Sequence, residues 1–217
     1  MCIRDSYSAE DVGVSPEDIL NARRATQYVV GLPGGTGDPS PVTAKGVFLG
    51  VKVAAERALG SSDLSGVKIA VQGATGHVGA YLVQHLHEAG AELFLADINE
   101  SALKDLAAKT NATIVPIDKI YGVEADIFAP CALGSVINPD TIDTLKVKAV
   151  AGAANNQLAT RDMGAELQKR GIYYAPDYVI NAGGIINIMG DLDPKYDAKW
   201  VEGKLQGLRQ TLGEVMD

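Results

Sequence analysis

A doubly wound α/β fold, a parallel sheet flanked by helices, is the fold class this sequence predicts, and three observations predict it. Six short apolar runs recur along the chain: VKIAVQ, AELFLAD, ATIVP, ADIFAP, VKAVAGA and IYYAP. They are continuous rather than alternating, as strands buried on both faces are. Helix-like segments or short loops separate them, and strands that alternate with helices form parallel sheets. A glycine-rich turn joins the first run to the helix-like segment after it.

The elements follow in chain order. Ser15-Pro16-Glu17-Asp18 combines an N-cap hydroxyl, a proline at the first helical position and acids in the first turn, which predicts a helix to about Thr26. Gly31 to Pro41 (GLPGGTGDPSP) is too rich in glycine and proline for anything but loop. It lacks the Gly-Lys-Ser/Thr ending of a phosphate-gripping P-loop. Ser40-Pro41 reads as a second cap, opening the long apolar-faced helix VTAKGVFLGVKVAAERAL. The six strands and their connections follow, and Pro194 to Asp217 reads as a polar-faced helix. No internal repeat is evident.

Composition narrows the partners. At 217 residues and 47% hydrophobic content the chain can bury a full core. Charged residues make up 21%, an ordinary globular share, so disorder is not expected. The net charge of −8, with no Lys/Arg-rich run, argues against nucleic acid and anionic membrane as partners, since both demand a concentrated positive face. Cys2 and Cys131 give no disulfide framework, which fits a reducing compartment. No signal peptide and no apolar run of membrane-spanning length is seen, and the expected location is the cytoplasm.

The most informative site follows the first strand: Gly73-Ala74-Thr75-Gly76-His77-Val78-Gly79, then the helix AYLVQHLHEAG. In a Rossmann-type turn Gly73 would allow the tight bend, Gly76 would let the backbone approach a pyrophosphate, and Gly79 would let helix and strand pack closely. The helix N-terminus offers N–H groups and partial positive charge to phosphates. The next strand ends LFLADIN, with Asp97 at its tip and Ile98 beside it. A carboxylate there accepts hydrogen bonds from the adenosine ribose and repels a 2′-phosphate, so NAD is expected rather than NADP. The alternative is three glycines serving a tight turn in a sheet that binds no ligand.

Other candidates are plainer. His85 and His87 lie on different faces of one helix without a further ligand nearby, so no metal site is expected. His77 sits inside the glycine turn, where packing or solvation is favoured over contact with phosphates. Cys131, in APCALG, follows a strand; with no histidine partner, small buried packing is favoured over a nucleophile.

Several segments, in order, resemble one family: GDPSPVTAKGV, LFLADIN, YGVEADIFAPCALG, AGAANNQL and YAPDYVINAGGIIN. They look like the glutamate/leucine/phenylalanine/valine dehydrogenases, most of all the leucine dehydrogenases, from Tyr7 to the last residue. The resemblance implies oxidative deamination of an L-amino acid to a 2-oxo acid, ammonium and NADH, by a substrate domain and a Rossmann-type domain with a cleft between them. It places a catalytic aspartate, the general acid/base, on Asp11. It places cofactor contacts on Thr43 (the nicotinamide carboxamide), on Cys131, Ala132 and Leu133 along the cofactor, and on Asn156, with Asn155 as the fallback. Ile185 and Ile188 fall where the family lines its side-chain pocket. Being three apart they share a helix face, and an apolar wall there predicts leucine, valine or isoleucine as substrate. Ordinary helix core is the plainer account of the pair.

Two departures stand out. The family turn is usually G-x-G-x-x-G, one residue shorter than Gly73-x-x-Gly76-x-x-Gly79. Upstream of the segment with Asp11 the family has a substrate domain with two lysines, one for the substrate carboxylate and one for water activation. Here that place is held by Met1–Ser6 (MCIRDS), which resembles translated sequencing adapter. The expected organisation is a non-native scar at 1–6, a substrate-domain remnant and linking helix at 7–30, the NAD-binding domain at 31–193 and a truncated C-terminal helix at 194–217. Such a fragment is expected to be inactive alone, and homo-oligomeric at full length. The competing reading is a stand-alone, non-catalytic NAD(P)-binding regulatory module.

Overall fold

The computed structural model describes residues 6–9, 13–32, 35–193 and 195–216. Each of the six apolar runs becomes a strand: β1 Lys68–Gln72, β2 Glu92–Ala96, β3 Thr113–Ile114, β4 Ile127–Pro130, β5 Ala149–Val150 and β6 Tyr173–Tyr174. All are paired in parallel, in the order β3-β2-β1-β4-β5-β6. This is the strand order of Rossmann-type dinucleotide-binding sheets, with its switch point between β1 and β4.

The period-two geometry of the strands divides the core into two layers. Ile69 and Val71, Leu93 and Leu95, Ile127 and Ala129 face one cluster. Ala70, Ala96, Phe128 and Val150 face the other. The first layer is closed by α2 (Ser40–Leu59), α3 (His77–Glu88), α4 (Glu100–Thr110) and α8 (Ala198–Val215), which contribute Val47, Leu82, Leu103 and Leu212. The second is closed by Leu167 of α5 (Asp162–Lys169), by Ile120 and Ile142 from two short 3-10 helices and by Ile137 from a loop. Both faces are covered at the central strands β1, β2, β4 and β5, which have no polar side to alternate with, while the edge strands β3 and β6 are more exposed.

Two helix boundaries differ from expectation. α1 spans Pro16–Arg23, with Ser15 and Asp18 forming a reciprocal capping box, and stops three residues short of Thr26. The cause is non-local. Ser8 donates to the Tyr28 carbonyl and accepts from Val30, so residues 28–30 are drawn out into an extended bridge. The N-terminus of α2 is not capped by the Ser40 hydroxyl. Ser40 is already helical after Pro39, and the Asp38 carboxylate accepts the Ser40 N–H at 2.8 Å, an acceptor two residues upstream doing the capping. The C-terminal helix is α8, capped by Asp197, whose side chain accepts from the Trp200 N–H.

α6 (Asp177–Ile180) and α7 (Gly183–Ile188) follow β6 and lie against α2. The glycine pair Gly183-Gly184 makes this possible: a Cβ on Gly183 would lie 2.6 Å from the Val42 carbonyl oxygen, and one on Gly184 2.8 Å from Thr43 Oγ1. Sequence thereby sets the start of α7 directly on the first turns of α2.

Candidate functional site

The carboxyl ends of β1 and β4 form the centre of the site. Gly73 has φ +74°, and a Cβ there would sit 2.7 Å from the Ala132 nitrogen, so the turn after β1 touches the loop after β4 by backbone. The extra residue of the turn is absorbed locally: the Gly76 N–H donates to the Gly73 carbonyl at 3.2 Å, closing a four-residue turn. Gly79 closes the packing from the helix side, since a Cβ would fall 2.1 Å from the Gly73 oxygen. Ala74 is buried beneath, Thr75 and Val78 are half-buried, and Gly76 and His77 are exposed.

α3 starts here with Gly76 as N-cap and no side chain capping it. Its first-turn N–H groups and the positive end of its dipole are therefore available to an anion. At the tip of β2, half-buried Asp97 is already engaged. One carboxylate oxygen accepts the Thr75 N–H at 2.8 Å and the other the Asn99 N–H at 3.0 Å. A carboxylate offers about four lone-pair positions, so two stay open for hydroxyl donors. Ile98 beside it is 87% exposed, and Leu133 on the β4 loop 66% exposed, apolar side chains on the two flanks of the turn.

Ala132 is exposed, whereas half-buried Cys131 packs against the core. Burial pushes the Cys131 thiol up to about 12, with the Ala153 N–H opposing. A thiol held protonated is no nucleophile; Cys131 meets the turn through its main chain, donating to the Gln72 carbonyl. His85 packs beside Phe48 at 5.5 Å.

Asn155 and Asn156, both exposed, stand on the loop after β5. Asn156 is left-handed (φ 51°). Asn181 Nδ2 donates to Asn155 Oδ1 and to the Ala153 carbonyl, and buried Gln157 ties the loop from beneath through Nε2 to the Gly152 and Ala154 carbonyls. Asp177, Asn181 and Gln157 carried no individual role in the sequence reading. Their signal was present, polar side chains inside the quoted AGAANNQL and PDYVINAGG stretches.

Thr43 is buried in the first turn of α2, and its hydroxyl donates to the Pro39 carbonyl at 2.9 Å. The donor is spent; the oxygen can meet a ligand only as an acceptor. On α7, Ile185 is 63% exposed, which removes it from the helix core, while Ile188 is half-buried beside Gly31. The glycine-rich loop after Gly31 is fastened by Asp191, which accepts the Gly31 N–H, the Thr36 N–H and the Thr36 hydroxyl at 2.7 to 2.9 Å. Asp11 lies outside the described residues, as does Cys2.

Residues 92–192 match the family model described as Glutamate/Leucine/Phenylalanine/Valine dehydrogenase. The leucine dehydrogenase of Thermoactinomyces intermedius is 47% identical over 213 residues, covering 97% of this chain and 58% of the relative. The chain belongs to the Glu/Leu/Phe/Val dehydrogenase family. Within the family it is also similar to a phenylalanine dehydrogenase of Bacillus thermotolerans, 46% identical over 194 residues, 86% of this chain and 50% of the relative. The crystal structure of L-tryptophan dehydrogenase from Nostoc punctiforme superposes with a TM-score of 0.83 at 40% identity, over 95% of this chain and 59% of that one. The chain thus spans 50 to 59% of the length of these family members.

Proposed function

We propose that this chain is the cofactor-binding portion of an NAD-dependent amino-acid dehydrogenase that deaminates a branched aliphatic L-amino acid to its 2-oxo acid and ammonium. The observation that carries the reading is the Asp97 carboxylate latched to the Thr75 N–H beside the uncapped start of α3, at the switch point of the sheet. NAD, when bound, supplies the hydride acceptor. The chain's own residues bind and orient it. The first turn of α3 takes the pyrophosphate, Asp97 accepts from the ribose hydroxyls, Ile98 and Leu133 cover apolar ring surface, and Thr43 accepts from the carboxamide. Ala132 and the main chain of Cys131 lie along the cofactor, and Asn155 and Asn156 face its nicotinamide end.

Ile185 and Ile188 supply an apolar wall for the substrate side chain, and Asp11 exchanges protons with the substrate amino group. The names of the similar proteins (leucine, phenylalanine and tryptophan dehydrogenases) support an amino-acid substrate. The aliphatic preference rests on the isoleucine pair. A cytoplasmic homo-oligomer is the proposed working form. The test is an assay of NADH formation by a form of the enzyme that includes the upstream substrate domain the family resemblance implies. Leucine, valine or isoleucine should drive it. Absence of NADH formation with every amino acid, while NAD still binds, would refute the catalytic reading and favour a binding module.

A further inference from the structure

The loops after β4 and β5 are held in a shape neither would keep alone. Ser135 (φ 59°) and Asn156 (φ 51°) both lie in the left-handed region, which residues with a Cβ seldom enter, asparagine more readily than serine. The Ser135 N–H donates to the Asn156 carbonyl at 2.7 Å. Gly134 lies against the same strip of backbone, for a Cβ there would come within 2.6 Å of the Asn155 carbonyl oxygen. The two loops are therefore tied to each other backbone to backbone. Backbone strain of this kind persists only where the surroundings over-determine it.

The over-determining group is Asp177, half-buried at the start of α6. One carboxylate oxygen accepts the Asn156 N–H at 2.7 Å, and the other accepts the Tyr174 hydroxyl at 3.0 Å. Hydrogen bonds to a carboxylate are shorter and stronger than neutral ones. Burial first, and the Asp177 charge second, raise the Tyr174 phenol and keep it a donor. Tyr174 belongs to β6, so the carboxylate links the sheet itself to the Asn156 peptide, and through Ser135 to the β4 loop. We propose that Asp177 is a positioning residue for the nicotinamide end of the cleft, fixing the β4 and β5 loops in the one arrangement that presents Leu133, Asn155 and Asn156 together. The inference rests on the cleft being a nicotinamide-dinucleotide site.

ADP-ribose, which has the adenine half but no nicotinamide, separates the two. With the full 217-residue chain, ADP-ribose affinity and the rise in NADH nicotinamide emission on binding would be measured side by side. Asp177→Ala should leave the ADP-ribose Kd within about twofold, weaken NADH binding by about tenfold and abolish the emission rise. Asp177→Asn should restore it, because its amide oxygen still accepts from Asn156 and its NH2 can donate to the Tyr174 oxygen. If Asp177→Ala does not fold, Tyr174→Phe, which removes only the sheet-side bond, should reduce the emission rise by about half while ADP-ribose binds unchanged. Equal weakening of both ligands, an emission rise that survives in Asp177→Ala and Tyr174→Phe, or no rescue by Asp177→Asn would overturn the proposal. So would an unaltered chain that binds ADP-ribose without any emission change for NADH. Failure of the unaltered chain to bind either ligand would instead refute the dinucleotide site, and this role with it.

Discussion

Asp97 has two tasks that pull a substitution in different directions. In the proposed NAD site its charge would disfavour a 2′-phosphate, while its oxygens pin the Thr75 and Asn99 N–H groups. Asp97→Ser should therefore weaken NAD binding by about tenfold, since the turn loses its latch. NADP should weaken less, because a repulsion disappears with the charge. Titration of both cofactors against both proteins checks this; an unchanged NAD-to-NADP ratio contradicts the assignment. Gly79 gives a cleaner outcome. The Cβ of Gly79→Ala would overlap the Gly73 oxygen at 2.1 Å, and backbone on both sides leaves nothing flexible to yield. We expect a loss of about 1–3 kcal/mol in urea denaturation together with loss of NAD binding.

At the scale of elements, Asp126 joins the starts of three adjacent strands. It precedes β4, accepts the Lys68 N–H of β1 at 3.1 Å and pairs with Lys148, just before β5, at 3.1 Å. Burial acts to raise its pKa, but the Lys68 N–H and the Lys148 ammonium outweigh it and leave the carboxyl below its ordinary 3.8. A depressed folded-state pKa contributes stability above the unfolded value, and that contribution is lost as pH falls through the folded one. Asp126→Asn should thus cost about 1 kcal/mol at pH 7, and the difference from the parent should shrink toward pH 3. Urea denaturation at both pH values measures it; a difference that grows on acidification would be the wrong sign. On α7, Ile188→Ala in a catalytically complete form should admit bulkier substrates by shortening the apolar wall. The shift should appear as a rise in kcat/KM for phenylalanine relative to leucine of about tenfold.

For the whole molecule, 217 residues hold the dinucleotide sheet but span only 58% of the length of the leucine dehydrogenase relative. Catalysis requires that substrate and cofactor be held in one near-attack geometry, which binding one partner alone does not provide. As part of the proposed reading, the purified 217-residue chain is expected to bind NAD weakly and to form no NADH with any amino acid. Leucine-dependent NADH production by this chain would disprove that. In a complete form, kcat/KM for leucine, valine and isoleucine should exceed that for glutamate, whose γ-carboxylate would meet no cation at Ile185 and Ile188. Glutamate or phenylalanine ranking first would show that the two isoleucines do not form the wall.

What the sequence determined by itself was whatever depends on near neighbours. The central strands β1, β2, β4 and β5 were legible because a parallel strand covered on both faces must be apolar throughout, and such runs are visible without knowing their partners; the more exposed edge strands β3 and β6 were legible only as short apolar runs. The glycine turn, the N-cap at Ser15 and the place of Asp97 at a strand tip were legible for the same reason: each is written within a few residues. Tertiary structure decided the rest. The end of α1 was set by the bridge between Ser8 and Val29, and the start of α2 by Asp38, a choice between adjacent acceptors that only geometry makes. Asp191 grips Gly31 and Thr36 across 155 to 160 residues, and Asp177 reaches Asn156 across 21. A carboxylate looks the same in sequence whether it is solvated or holds a distant N–H. Its partner exists only once the sheet has brought the strand ends together.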